Sequence, residues 1–239
     1  DIRPDNSFNY SWRVRVWDET DTPSEWSSEA KFRAVPERLS SGQWIGAITR
    51  QNAHLPEGRK FHGGELKKPE VKAAWEAVDT LAKKSICLRR TFQVGDAKEG
   101  GANRKPGKKI VEATAYVCGL GFYEFSLNGK KMGNSEFAPL WSDYDKTVYY
   151  NTYDVTEQLR RGENVVGILL GNGFYNVQGG RYRKLQISFG PPTLLFELVI
   201  NYEDGTCTTV HSDNNWKYDF SPVTFNCIYG GEDYDARRE

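Results

Sequence analysis

From Gly121 onward the chain leaves no room for helical crossovers. Turn-forming pairs recur at Asn128-Gly129, Arg161-Gly162, Asn172-Gly173, Gly179-Gly180, Pro191-Pro192 and Asp204-Gly205, with apolar and aromatic runs between them. A parallel strand connection needs a long crossover, usually a helix, whereas antiparallel strands close with a short turn. Many short strands punctuated by Gly, Asn and Pro therefore imply an all-β fold, an antiparallel β-sandwich of the jelly-roll kind with a short helical insertion.

Two earlier segments read differently. In YSWRVRVW, Tyr10, Trp12, Val14 and Val16 alternate with Ser11, Arg13 and Arg15, the period of a half-buried strand. Asp18 to Pro23 supplies a turn and SEWSSEAKF a returning strand, so residues 7 to 34 are expected to form one hairpin. That hairpin resembles the last two strands of a fibronectin type III domain, and a polar linker from Pro36 to Gly42 follows it. The division expected is 1–40 for this partial domain and its linker, and 41–239 for the sandwich. Within the second part, Val71, Ala74, Trp75, Val78 and Leu81 fall at helical spacing behind Pro69, which predicts a helix packed on a sheet.

Charge and cysteine usage narrow the function classes. Thirty-two Lys and Arg balance 32 Asp and Glu, so no net field favours nucleic acid or an anionic membrane surface, and no apolar run is long enough to span a bilayer. The lysines of DAKEGGANRKPGKK read as a solvated loop tip. A neutral ligand is the better partner. Cys87, Cys118, Cys207 and Cys227 form no CxxC pair and all sit in strand-like text, where a free thiol behaves as a small core hydrophobe; buried thiols are expected ahead of disulfides.

Several phrases occur in a fixed order: QWIGA, YEFSLNGKKMG, APLWSDYDKTVYYNTYDVTEQLRRGENVVGILLGNGFY, YEDG, SDNNWK and IYGGEDYDAR. Together they resemble the N-terminal β-sandwich module of bacterial α-L-rhamnosidases. The LNG, YDVT and RRGEN phrases are also similar to the galactose-binding-like domains of β-galactosidases and β-glucuronidases, while WSDY, GNGFY and YDAR tilt the choice. The resemblance implies an accessory module of an inverting glycoside hydrolase that removes terminal L-rhamnose from plant glycans or glycosides. It also implies a partner, an (α/α) catalytic barrel of the same polypeptide, and a periplasmic or cell-surface location. The barrel would hold the paired carboxylates. Asp143 with Asp145, or Glu232 with Asp235, lie beside Arg or Lys and read as surface carboxylates rather than as such a pair.

Candidate binding residues come from two loops. Trp141, Asp143 and Tyr144 follow APL between strands, and Asn172, Tyr175 and Arg181 sit in GNGFYNVQGGRYR. Sugars lay their C–H faces on an aromatic ring while carboxylates and amides take the hydroxyls, so Trp141, Asp143, Asn172, Tyr175 and Arg181 form the candidate carbohydrate site. The competing reading makes Asn172-Gly173 a bare turn and Trp141 a core plug, in a spacer that docks on the barrel. A Trp141 exposed beside Asn172 and Asp143 favours binding; a buried one favours the spacer. No cofactor is required, but the resemblance allows calcium beside rhamnose, for which Asn134, Glu136, Asp143 and Asp145 could supply oxygens. Asn134 stands where the family more often has Asp, and Leu140 where it has Gly.

Overall fold

The computed structural model describes residues 9–33, 39, 41–47, 59–62, 64, 67–76, 83–95, 108–177 and 185–239, and the chain divides into two compact units, Asp1–Ser40 and Ser41–Glu239. In the first unit β1 (Asn9–Trp12) pairs antiparallel with β2 (Ala30–Arg33). Between them the ladder is irregular for a chemical reason. The amides of Val14 and Val16 donate to the hydroxyls of Ser27 and Ser24 instead of to backbone carbonyls, so SEWSS does not form the regular strand its alternation predicts. Trp12, Trp17 and Trp26 are exposed, and the Arg15 guanidinium lies 4.2 Å from the Trp26 ring centre, a cation–π contact that covers part of the apolar face.

The second unit contains β3 (Arg59–His62), α1 (Pro69–Glu76), β4 (Ile86–Val94), β5 (Ile110–Leu120), β6 (Tyr123–Leu127), β7 (Lys130–Lys131), β8 (Asn151–Asp154) and β9 (Gly162–Leu170). It continues with β10 (Asn176–Val177), β11 (Leu185–Ser188), β12 (Thr193–Tyr202), β13 (Cys207–His211), β14 (Lys217–Phe220), β15 (Val223–Cys227) and β16 (Gly231–Tyr234). One sheet has the order β13-β12-β5-β8 and the facing one β14-β4-β9-β6-β7, with every pairing antiparallel. Alternate residues of both sheets point into a common core, where Phe125 of β6 meets Phe196 of β12 edge to face at 5.8 Å. This is the all-β sandwich expected from the turn spacing. A smaller sheet, β10-β11-β3, has its own apolar cluster around Tyr175, Val177, Ile187 and Phe189.

Particular turns behave as their residues dictate. Asn128 and Gly129 both have positive φ, 53° and 81°, closing the β6–β7 hairpin as an Asn-Gly turn. Asn128 does more than bend the chain: its amide donates to Gln158 O and Asn164 Oδ1 at 2.9 Å, and its Oδ1 accepts from Val165 N. Asp154 caps the turn after β8 by accepting from the amide and hydroxyl of Thr156. The helix starts at Pro69 and buries Val71, and residues 77–82 of the expected longer helix lie outside the described residues. Among the described residues no helix is long and apolar enough to cross a membrane.

All four cysteines are free thiols in strands, but only Cys118 and Cys227 are buried. The expectation of four core thiols fails on strand parity: Cys87 alternates with buried Ile86 and Leu88 and so faces out, and Cys207 opens the edge strand β13. Burial pushes the Cys118 thiol up to about 12, while burial and the Asp219 charge also raise Cys87. A native thiol titration with an aromatic disulfide is therefore expected to modify Cys207 quickly and Cys87 more slowly, with Cys118 and Cys227 reacting only on unfolding. Fast native reaction of all four would contradict this packing.

Candidate functional site

The loop between β7 and β8 decides which aromatic faces solvent. The amides of Lys146 and Thr147 both donate to Asp143 O at 2.8 Å, and Ser142 Oγ donates to Thr147 O at 2.6 Å, making a tight turn. The turn sends Tyr144 inward, edge-on to Tyr175 at 5.1 Å and against Phe189 at 5.3 Å. Burial, with Tyr175 and Cys118 adding to it, pushes the Tyr144 hydroxyl up to about 12. Trp141 stays outside. It is 56% exposed and stacks on Phe174, with ring centres 4.6 Å apart and planes 11° from parallel. One indole face is backed by a phenyl ring and the other is open, the form of a sugar platform.

Phe174 is held by an unusually close approach of two chain segments. Between Leu120 of one sheet and Tyr123 of the other, only Gly121 and Phe122 make the crossing, and Gly171 N donates to Phe122 O at 2.8 Å. Gly121 has φ +125°, and a Cβ there would overlap the Gly171 carbonyl oxygen; a Cβ on Gly173 would come within 2.7 Å of Phe122 N. The approach brings Phe122 edge-on to Phe174 at 5.9 Å, and Phe122 in turn meets Phe137 at 5.5 Å. A string of rings thus runs Trp141, Phe174, Phe122, Phe137.

The structure removes two expected sugar contacts from the surface. Asn172 is fully buried: its Nδ2 donates to Lys83 O (2.7 Å) and Asn226 O (3.1 Å), and its Oδ1 accepts from Asn176 Nδ2 (2.8 Å). Its amide is consumed in fixing the loop. Tyr175 is also buried and donates its hydroxyl to Phe189 O, so it is core rather than ligand contact. Arg181 lies outside the described residues. Asp143 is exposed two residues from Trp141, and its carboxylate pairs with Lys146 at 3.0 Å. Phe122 and Phe137 were not singled out in the sequence. Strand parity offered a signal for Phe122, which must face away from buried Tyr123, whereas the outward turn of Phe137, with φ +45° and 69% exposure, has no sequence signature.

Phe122 and Phe137 line a cleft of about 640 Å³ together with Tyr234 of β16, Glu124, Glu136 and Glu232. Lys131 Nζ donates to Glu124 at 3.1 Å and Glu136 at 3.2 Å, and those hydrogen bonds hold its ammonium above the usual lysine range. Among the described residues no three His, Cys, Asp or Glu side chains gather to hold a metal ion. Of the calcium candidates Asn134, Glu136, Asp143 and Asp145, Glu136 pairs with Lys131 and Asp143 with Lys146. Asp235 forms a two-point pair with Arg237, which lowers its pKa and keeps it an ionised surface group.

Comparison with known proteins adds sequence and fold relationships. Residues 108–239 match the family model described as the alpha-L-rhamnosidase N-terminal domain. An alpha-L-rhamnosidase of Formosa agariphila is 35% identical over 237 residues, covering 96% of this chain and 23% of that protein. One from an Alteromonas species is 30% identical over 232 residues, covering 95% and 22%. The chain thus spans about a quarter of the length of these relatives. Among solved structures, the alpha-L-rhamnosidase of Dictyoglomus thermophilum superposes with a TM-score of 0.67 at 28% identity, over 100% of this chain and 23% of that one. The Streptomyces avermitilis alpha-L-rhamnosidase complexed with L-rhamnose gives 0.69 at 21% identity, over 100% and 36%, a likeness of fold.

Proposed function

Because this chain belongs to the alpha-L-rhamnosidase N-terminal domain family, we propose that it is an accessory module that holds L-rhamnose-containing carbohydrate for an enzyme removing terminal rhamnose. The observation that carries this reading is Trp141, an exposed indole backed by Phe174 with Asp143 two residues away. Rhamnose is a deoxy sugar, and its methyl group and C–H face gain from an apolar ring while its hydroxyls can be taken by a carboxylate. The spacer reading has its own support. Leu140 is 78% exposed beside Phe137 and Trp141, and an aliphatic side chain offers sugar hydroxyls nothing, whereas a docked protein domain would cover it.

Titration of the chain with L-rhamnose by NMR, with and without calcium, separates the two. Binding should be weak, in the millimolar range, and Trp141→Ala should abolish it, since a stacked ring contributes roughly 1 to 1.5 kcal/mol beyond its area. The same variant should unfold within about 1 kcal/mol of wild type, as an exposed side chain leaves no core cavity. Absence of rhamnose-induced shifts in the unaltered chain under both conditions would leave the spacer.

A further inference from the structure

We infer that the cleft beyond Phe137 is a second subsite, which takes the uncharged sugar unit next to rhamnose and disfavours a uronate there; this rests on the reading of Trp141 as the rhamnose platform. A string of ring contacts links the indole to the cleft. Trp141 stacks on Phe174, Phe174 meets Phe122, and Phe122 meets Phe137. One cluster of rings thus carries the indole and, through Phe122 and Phe137, lines a space of about 640 Å³, the size of a small-ligand site rather than of a crevice between side chains. Tyr234, which is exposed, adds a further ring to the lining.

The polar groups set the chemistry. Glu124, Glu136 and Glu232 line the cleft, and among the described residues Lys131 pairs with the first two. Carboxylates accept from sugar hydroxyls in two-point fashion, so this arrangement suits a neutral polyol ring. A uronate carboxylate entering the same space would meet like charge, most directly at Glu232 on β16. Leu169, Val223 and Ile228 add apolar lining, which fits the C–H faces of a pyranose, and Ser85 and Asn226 add polar groups.

The test uses three probes on the full chain by calorimetry: methyl α-L-rhamnoside, a rhamnosyl-glucose disaccharide and the matching rhamnosyl-glucuronate. The neutral disaccharide is expected to bind about tenfold tighter than the methyl glycoside, and the glucuronate to lose that gain. Tyr234→Ala should erase the gain while leaving methyl rhamnoside binding unchanged, and Glu232→Gln should restore it for the glucuronate; both residues are exposed, and a thermal melt checks that each variant is folded. If the methyl glycoside binds but the disaccharide gains nothing, the subsite is wrong and the platform stands. If the glucuronate gains as much as the neutral sugar, the charge selection is wrong. If none of the three binds, the platform and the subsite both fall.

Discussion

Gly121→Ala is expected to lower the stability of the Ser41–Glu239 unit by at least about 3 kcal/mol and its Tm by roughly 6–12 °C. Two costs combine at this residue. Its φ of +125° lies where L side chains are strained, and the added methyl would overlap the Gly171 carbonyl oxygen, which is backbone and cannot swing away. The corner between the two sheets would have to open, carrying Phe122 away from Phe174. Gly129→Ala is the control. Gly129 also has positive φ, but a Cβ there meets nothing within 4 Å, so only the dihedral cost of about 1–2 kcal/mol should appear. Equal losses in thermal denaturation of the two variants would show that the close approach of the two segments contributes little.

Asn172→Ala should cost about 2–4 kcal/mol by removing the part-buried bonds to Lys83 O and Asn226 O and the buried bond from the Asn176 amide, at about 0.5–1.5 kcal/mol for each bond lost. Asn172→Asp is the sharper variant. It keeps the acceptor for Asn176 but turns the two donations into contacts between a carboxylate and carbonyl oxygens, so it should be at least as unstable at neutral pH. Chemical denaturation of both variants gives the comparison. An aspartate variant as stable as the unaltered chain would mean that the two donations do not hold the loop. Loss of rhamnose binding should accompany loss of stability in the Asn172 variants, because that loop carries Phe174, whereas Trp141→Ala should lose binding alone.

The sandwich was legible because its signals are local. An Asn-Gly pair can take positive φ at both residues wherever it stands, and Asp154 accepts from the amide two positions on without help from distant chain. The Asn172-Gly173 pair shows the limit of such reasoning. It is a turn, as its residues require, but whether the asparagine amide meets solvent or protein depends on Lys83 and on Asn226, 89 and 54 residues away. A short polar side chain in a turn reads the same in both cases. The loop carboxylates show the same limit: nearness along the chain said nothing of Lys131 and Lys146, which pair with Glu136 and Asp143.

Sequence by itself determined the antiparallel sandwich, the turns that close it and the family, since each follows from period-two patterning, backbone preference and an ordered set of phrases. Only the tertiary structure decided which rings face outward. Trp141 and Tyr144 lie three residues apart in one loop, yet the turn at Asp143 sends one onto Phe174 at the surface and the other beneath it against Tyr175 and Phe189. Either ring could fill the core or lie open, and aromatic side chains gain in both settings. The choice is made by the neighbouring segments. Gly121 and Gly171 draw the sheet corner and the Phe174 loop together, and that contact puts a phenyl ring where the indole stacks on it.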